Sequence, residues 1–327
     1  MAELLEVRGL KTYVHTSMGV VKAVDGVSFD VKQGETVALV GESGCGKTMT
    51  ALSVMRLIPR PQAETTGGEI RFEGKNLLDL DDEEMRRIRG AEIAMIFQEP
   101  MTSLNPVLTI ERQLTETLEA HGAVSRREAR ERALELLRLV GISDAEARLR
   151  QYPHQFSGGM RQRVMIAIAL SCRPKLILAD EPTTALDVTI QAQLLELMRG
   201  LSREFGVALV IITHNLGVVA RYADRVNVMY AGKIIESGAA ADIYRDPRHP
   251  YTIGLLHSVP RLDQPRRTRL EPIEGQPPDL WALPPGCSFR PRCKYAVEKC
   301  AREIPPRRAI AGAHDAACWV ADSIEKF

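Results

Sequence analysis

Eight consecutive residues, Gly41-Glu42-Ser43-Gly44-Cys45-Gly46-Lys47-Thr48, bring a pliable backbone, an ammonium group and a hydroxyl to one short loop. That set suits a polyphosphate. The glycines let the chain curl until successive N–H groups face inward, Lys47 can reach terminal phosphates, and the Thr48 hydroxyl can ligate Mg2+. An apolar run, Thr36 to Val40, precedes the loop, and a helix-compatible run, Met49 to Ile58, follows it as far as Pro59. Strand, loop and helix therefore stand in the order that aims the positive end of a helix at bound phosphate.

Four further stretches supply complementary chemistry. The apolar run Leu176-Ile177-Leu178-Ala179 ends in Asp180-Glu181. A buried strand with that ending places one carboxylate near Mg2+ and a second where it can orient and deprotonate water. Gln98 closes the apolar run Ile93 to Phe97, within reach of the metal and the attacking water, and the loop after it can carry that state to a partner. In Phe156-Ser157-Gly158-Gly159-Met160, Ser157 caps a helix whose first N–H groups can bind an anion. Lys47 already serves one phosphate site, so this second helix end is expected to serve a nucleotide held by another copy. His214 follows the strand Val207 to Thr213.

The elements that must position these groups alternate. Short apolar stretches from Leu4 to Val40, broken at Gly19, Gly26 and Gly34, predict a β-rich start. Glu69 to Phe72 and Glu92 to Gln98 predict further strands. From Val107 to about Leu149, apolar residues recur at helical spacing among Arg and Glu, which predicts an inserted helical subdomain, about residues 107–170. Then follow a helix to Ser171, a strand Lys175 to Asp180, a helix Ile190 to Phe205 and a strand Val207 to Thr213. That order predicts an α/β fold, a parallel sheet with helices on both faces.

The totals bound the class. A chain of 327 residues, 45% apolar and 26% charged, with 43 Lys and Arg against 42 Asp and Glu, has no global field for nucleic acid. The N-terminus lacks the blocks of a signal peptide, and the longest apolar runs, Val164 to Leu170 and Val207 to Ile212, fall short of a membrane span of roughly 20 residues. A cytosolic protein is expected, held at a membrane only by other chains. After Pro260 the composition shifts: residues 261–327 hold nine of the nineteen prolines and four of the six cysteines. The division expected is 1–260 for the nucleotide domain and 261–327 for a cysteine-containing extension.

Taken together, GESGCGKT, Gln98, FSGGM, LILADEP, the Ala185-Leu186-Asp187 loop and His214 resemble the nucleotide-binding subunit of an ATP-binding cassette (ABC) transporter, over Leu4 to about Ser237. The resemblance implies a RecA-like sheet with an N-terminal antiparallel β subdomain and an inserted helical subdomain. It also implies that Gly41 to Thr48, with Met49, bind ATP, that Thr48, Gln98 and Asp180 serve Mg2+, and that Glu181, His214 and Gln98 are catalytic. Ser157, Gly158, Gly159 and Met160, with Asp187, would close over ATP on an opposing subunit. Phe156 and Met160 replace the Leu and Gln that usually end the signature. The adenine-stacking aromatic is expected near Val14; the adjacent Tyr13 is the candidate, or else a core residue.

Gln-Glu-Pro-Met-Thr-Ser-Leu-Asn-Pro after the Q position, His249-Pro250-Tyr251-Thr252, and Gly275-Gln276-Pro277-Pro278 leading to the Cys287 and Cys293 region narrow the resemblance. They are similar to the ATPase subunits of dipeptide and oligopeptide importers, a family that also moves nickel. That implies a second, non-identical ATPase subunit, two transmembrane permease subunits, an extracytoplasmic substrate-binding protein, and a peripheral place on the cytoplasmic face of the inner membrane. A soluble ABC ATPase outside transport is the alternative. Cys287, Cys293, Cys300 and Cys318 lack the paired spacing usual for structural zinc. The similar tail of the importer ATPases implies a 4Fe-4S cluster, with zinc as the alternative.

Overall fold

The computed structural model describes residues 3–122, 124–183, 186–219, 221–258 and 272–324. Ala185 of the Ala185-Leu186-Asp187 loop, and the boundary placed at Pro260, lie outside the described residues. The chain forms two compact units. One contains Lys32–Thr36 and Asp79–Ile211; the other contains Glu3–Val31, Val37–Leu78 and the chain from Ile212 onward.

The unit that carries the glycine-rich loop contains an antiparallel sheet in the order Gly19–Lys32, Glu3–Thr16, Ala63–Phe72, Lys75–Asn76. Alternation drives it: Leu5 and Val7 are buried and pair with Phe72 and Ile70, while polar neighbours face out. A second set of strands runs Arg308–Ala311, His314–Ala316, Lys233–Ala239, Arg225–Tyr230, Thr36–Val40. Only its last pair is parallel, with Val37 opposite Arg225 and Val40 opposite Val228. The others are antiparallel, so the sheet expected to be parallel is mixed. The reason is local. Ala231 and Gly232 both adopt positive φ, 47° and 77°, and such a two-residue connection returns the chain as a hairpin. Val40, Tyr230, Tyr251 and Phe289 share one buried cluster, so the strand before the loop and the proline-rich tail draw on the same core.

In the other unit, Ala208–Thr213, which this unit holds as far as Ile211, lies beside Leu176–Asp180, which lies beside Ile93–Ile96. The last two are parallel, Ile93 opposite Leu176. Every residue of Leu176–Asp180 is buried, as a strand covered on both faces requires. Helices occupy the segment where helical spacing was read. Ile110–His121 buries Ile110, Leu114 and Leu118, and Arg126–Leu139 buries Ala129, Ala133, Leu136 and Leu137. Ser125 and Glu128 close a reciprocal capping box at the start of the second.

Candidate nucleotide site

The glycine-rich loop leaves the fully buried strand Thr36–Val40 and enters the helix Lys47–Val54. Its glycines answer to close backbone approach. A methyl group on Gly41 would stand 2.3 Å from the Met229 carbonyl oxygen, and one on Gly46 would stand 2.1 Å from that of Ala23. Gly46 is also at φ +109° and takes the helix N-cap position, where no side chain covers the first N–H groups. A helix N-terminus so placed, with its dipole, suits an anion. Lys47 is buried, and its Nζ donates to the carbonyl oxygens of Gly41 at 2.7 Å and Glu42 at 3.0 Å. The ammonium is thus tied back onto the loop it would serve. Ser43, Gly44 and Thr48 are exposed, Met49 is half-buried, and burial pushes the Cys45 thiol up from its ordinary value.

Glu42 is held from two sides that sequence reading missed. Its N–H donates to the Tyr251 hydroxyl at 2.8 Å, and its carboxylate receives both terminal nitrogens of Arg292, at 2.7 and 2.9 Å. Tyr13, on the strand Glu3–Thr16, donates its hydroxyl to Asp25 at 2.9 Å and lies 6.0 Å from the Lys22 ammonium. Asp25 in turn pairs with Lys233. His214 is exposed and directly follows Thr213, the buried end of its strand.

In the other unit, Asp180 and Glu181 are buried at the end of Leu176–Asp180. Glu181 adopts φ +45°, a left-handed conformation worth roughly 1 kcal/mol of strain in a residue with a Cβ. Gln98 Nε2 donates to Glu181 Oε2 at 3.1 Å. Two groups 83 residues apart in sequence therefore meet where a water-activating carboxylate was expected. Ser157 caps the helix Gly158–Leu170 by accepting from the Met160 N–H at 3.3 Å. Gly158 and Gly159 approach Leu186 and Ile190 so closely that a methyl would stand 3.3 and 3.1 Å from them. Those two residues flank Asp187, which caps the helix Val188–Phe205 through the Ile190 N–H. Gln191 ties the turn together, donating to the Thr183 and Leu186 carbonyls at 3.0 and 3.2 Å. A glutamine four residues into a helix gave no reason to single it out.

The tail cysteines gather in one neighbourhood. The Cys287 N–H donates to the Cys300 carbonyl at 2.9 Å, and the Cys318 thiol is raised to about 12 by burial, with lesser contributions from Cys293, Cys287 and Cys300. Burial likewise raises Cys293 to about 11. Among the described residues, however, no group of three or more His, Cys, Asp or Glu side chains is placed to hold a metal ion. The expected ligation of zinc or an iron–sulfur cluster by Cys287, Cys293, Cys300 and Cys318 therefore finds no support in this arrangement.

Residues 24–184 match the model of the ABC transporter family, and residues 235–300 match that of the oligopeptide/dipeptide transporter C-terminal region. The dipeptide transport ATP-binding protein DppD of Bacillus subtilis is 54% identical over 322 residues, covering 98% of this chain and 96% of the relative. The chain belongs to the oligopeptide/dipeptide family of ABC transporter ATPase subunits. A probable peptide ABC transporter ATP-binding protein of Sinorhizobium fredii is 53% identical over 321 residues, 98% of this chain and 96% of the relative. The solved dimer of an ATP-binding cassette in a post-hydrolysis state, bound to ADP and Pi, superposes with a TM-score of 0.65 at 30% identity. That match covers 72% of this chain and 98% of the cassette. Within this ABC ATPase one departure from the usual signature has a packing reason. Phe156 is buried, with the Arg148 guanidinium 5.8 Å from its ring, so it fills core space that Leu would fill. Among the described residues no helix is long and apolar enough to cross a membrane.

Proposed function

We propose that this ABC ATPase is the ATP-hydrolysing motor subunit of an importer for di- or oligopeptides or related solutes. The observation that carries the reading is the Gln98–Glu181 hydrogen bond at the end of a buried strand, in a chain whose segment 235–300 matches the oligopeptide/dipeptide transporter region. Glu181 is assigned as the base that orients and deprotonates water, and Gln98 directs its carboxylate. Gly41, Glu42, Ser43, Gly44, Cys45, Gly46, Lys47, Thr48 and Met49 bind the phosphates of ATP through backbone N–H groups and the Lys47 ammonium. Thr48, Asp180 and Gln98 are all oxygen donors, the chemistry a hard cation takes, and would hold Mg2+. When bound, that ion neutralises phosphate charge. Tyr13 is assigned to the adenine and His214 to the γ-phosphate side. Ser157, Gly158, Gly159, Met160 and Asp187 serve the ATP of a second subunit.

The partners proposed are a non-identical ATPase subunit, two membrane permeases and an extracytoplasmic binding protein, with this chain peripheral on the cytoplasmic face. Relatives matched over nearly the whole chain carry transport names, which disfavours a soluble ABC ATPase outside transport. For the tail, a 4Fe-4S cluster is the finer proposal. A zinc ion would hold its sulfurs about 3.8 Å apart, from a bond length near 2.3 Å, whereas a cluster of four irons spreads its thiolates further. The proposal rests on the resemblance of this tail to that of the importer ATPases and on the four cysteines it carries. Iron with acid-labile sulfide in anaerobically purified protein is the expected result; stoichiometric zinc overturns it.

The test of function is reconstitution with the permeases and binding protein in liposomes. Peptide-stimulated ATP hydrolysis that Glu181→Gln abolishes is expected. Hydrolysis indifferent to every di- and oligopeptide, or normal turnover in that variant, refutes the reading.

A further inference from the structure

An anion-binding loop with a carboxylate in its second position carries an internal conflict. Glu42 lies between Gly41 and Ser43, and an ionised side chain there repels the phosphates that the loop's N–H groups attract. The structure resolves the conflict with a residue 250 positions away. Arg292 meets the Glu42 carboxylate in a two-bond fork, and its own side chain is 4% exposed against 25% for Glu42. The guanidinium is itself held: Nε donates to the Glu274 carbonyl at 3.1 Å, and the Tyr230 and Phe289 rings each lie 5.9 Å from it. Tyr251, fully buried against both rings, accepts the Glu42 N–H. Arg292 also ends the short turn Arg290–Arg292 that leads into Cys293, so its position depends on the order of the tail.

We propose that Arg292 is a positioning residue for the phosphate loop: it neutralises and anchors Glu42, so that the ordered cysteine-bearing tail sets the affinity of the loop for ATP. Arginine suits this task because its planar fork matches a carboxylate with two parallel bonds and keeps its charge at every physiological pH. The bond from Glu42 to Tyr251 fixes the backbone, and the fork fixes the charge. Loss of the fork leaves the loop in place but restores a negative charge beside the phosphates.

The inference rests on ATP binding at Lys47, and wild-type protein controls for it. Loss of binding there would indict that reading and not Arg292. With the full chain in its assembled complex, Kd for a fluorescent ATP analogue and the KM and kcat of hydrolysis are measured for Arg292→Gln, Glu42→Gln and the double variant. Arg292→Gln is expected to weaken ATP binding about tenfold, the scale of one like charge at a protein surface, with kcat at saturation within about twofold. In the Glu42→Gln background the same substitution should change Kd by less than about twofold, because no carboxylate remains to neutralise. A purely structural arginine would weaken binding equally in both backgrounds. Equal weakening, or an unchanged Kd in Arg292→Gln, overturns the proposal. Where Arg292→Gln does not fold, Arg292→Lys carries the test, with a rise of about threefold that Glu42→Gln must likewise cancel.

Discussion

The phosphate loop and the tail that reaches it are ordered by different balances of main-chain and side-chain contact. The loop is fixed by main chain: a wholly buried strand leads in, a helix leads out, and the carbonyls of Ala23 and Met229 press so close that only glycine fits opposite them. The tail adds side chains to the main-chain pairing of its strand His314–Ala316 with Lys233–Ala239. Phe289 packs edge-on to Tyr230 and Tyr251, Arg292 grips Glu42, and His314 reaches the buried Glu236 carboxylate at 2.8 Å. Main-chain packing leaves little freedom and belongs to the element that must not change shape around its ligand. Side-chain anchoring can be released one contact at a time. The two regions should therefore fail differently, the nucleotide machinery by losing chemistry and the tail by losing order.

The sharpest separation comes from Glu181→Gln. Removing the proposed base while leaving the loop intact should lower turnover at least 100-fold, within the about 10²–10⁴ range of general-base contributions, with ATP affinity retained. Parallel ATP-binding and hydrolysis assays check it, and equal losses in both would erase the distinction. Acid should break the tail side first. His249 packs 5.7 Å from Phe289, accepts the Tyr251 N–H at Nδ1, and is lowered by burial from 6.5 to about 3. An unfolded chain takes up a proton at His249 below pH 6.5 while the folded chain does not. Stability from this group is thus complete above pH 6.5 and is lost progressively as pH falls toward 3, in total on the order of 4 kcal/mol. Calorimetry between pH 7 and 4 should show the slope, and His249→Asn, which keeps an acceptor for that N–H, should flatten it.

Gly46→Ala tests the loop side. The added methyl meets the Ala23 carbonyl and the residue must hold positive φ, so a loss of about 2–3 kcal/mol by thermal melting is expected, with ATP binding abolished. A stable, ATP-binding variant would show that the main chain is less confining than its contacts imply. The smallest effect belongs to Asp187→Ala. Loss of its cap on the Val188–Phe205 helix should cost about 1 kcal/mol in chemical denaturation.

What could be read in advance divides along the same line. Main-chain order leaves a local trace: glycines at fixed spacing, an apolar run before them, two carboxylates at the end of a buried strand. The placement of Gly41 to Thr48 between a strand and a helix, and of Asp180-Glu181 at the end of a buried strand, was legible for that reason, as were the helices of 110–139 from their 3.6-residue period. Side-chain anchoring leaves none. Nothing in the composition around Arg292 points 250 residues back to Glu42, and the Tyr251 hydroxyl was invisible inside a Pro-Tyr-Thr stretch. The hairpin Arg225–Tyr230 to Lys233–Ala239 does carry a local signal, two apolar runs separated by Ala231-Gly232. The tail pair Arg308–Ala311 and His314–Ala316 is too short for its period to stand out.

That last pair has a consequence of its own. Arg308–Ala311 is the outermost strand on its side, largely open to water, and its backbone would offer a ledge for another chain to extend. It is four residues long, and Arg307 and Arg308, bonded to Asp315 and Asp322, stud its start with charge. The chain is thereby discouraged from polymerising with itself through this edge.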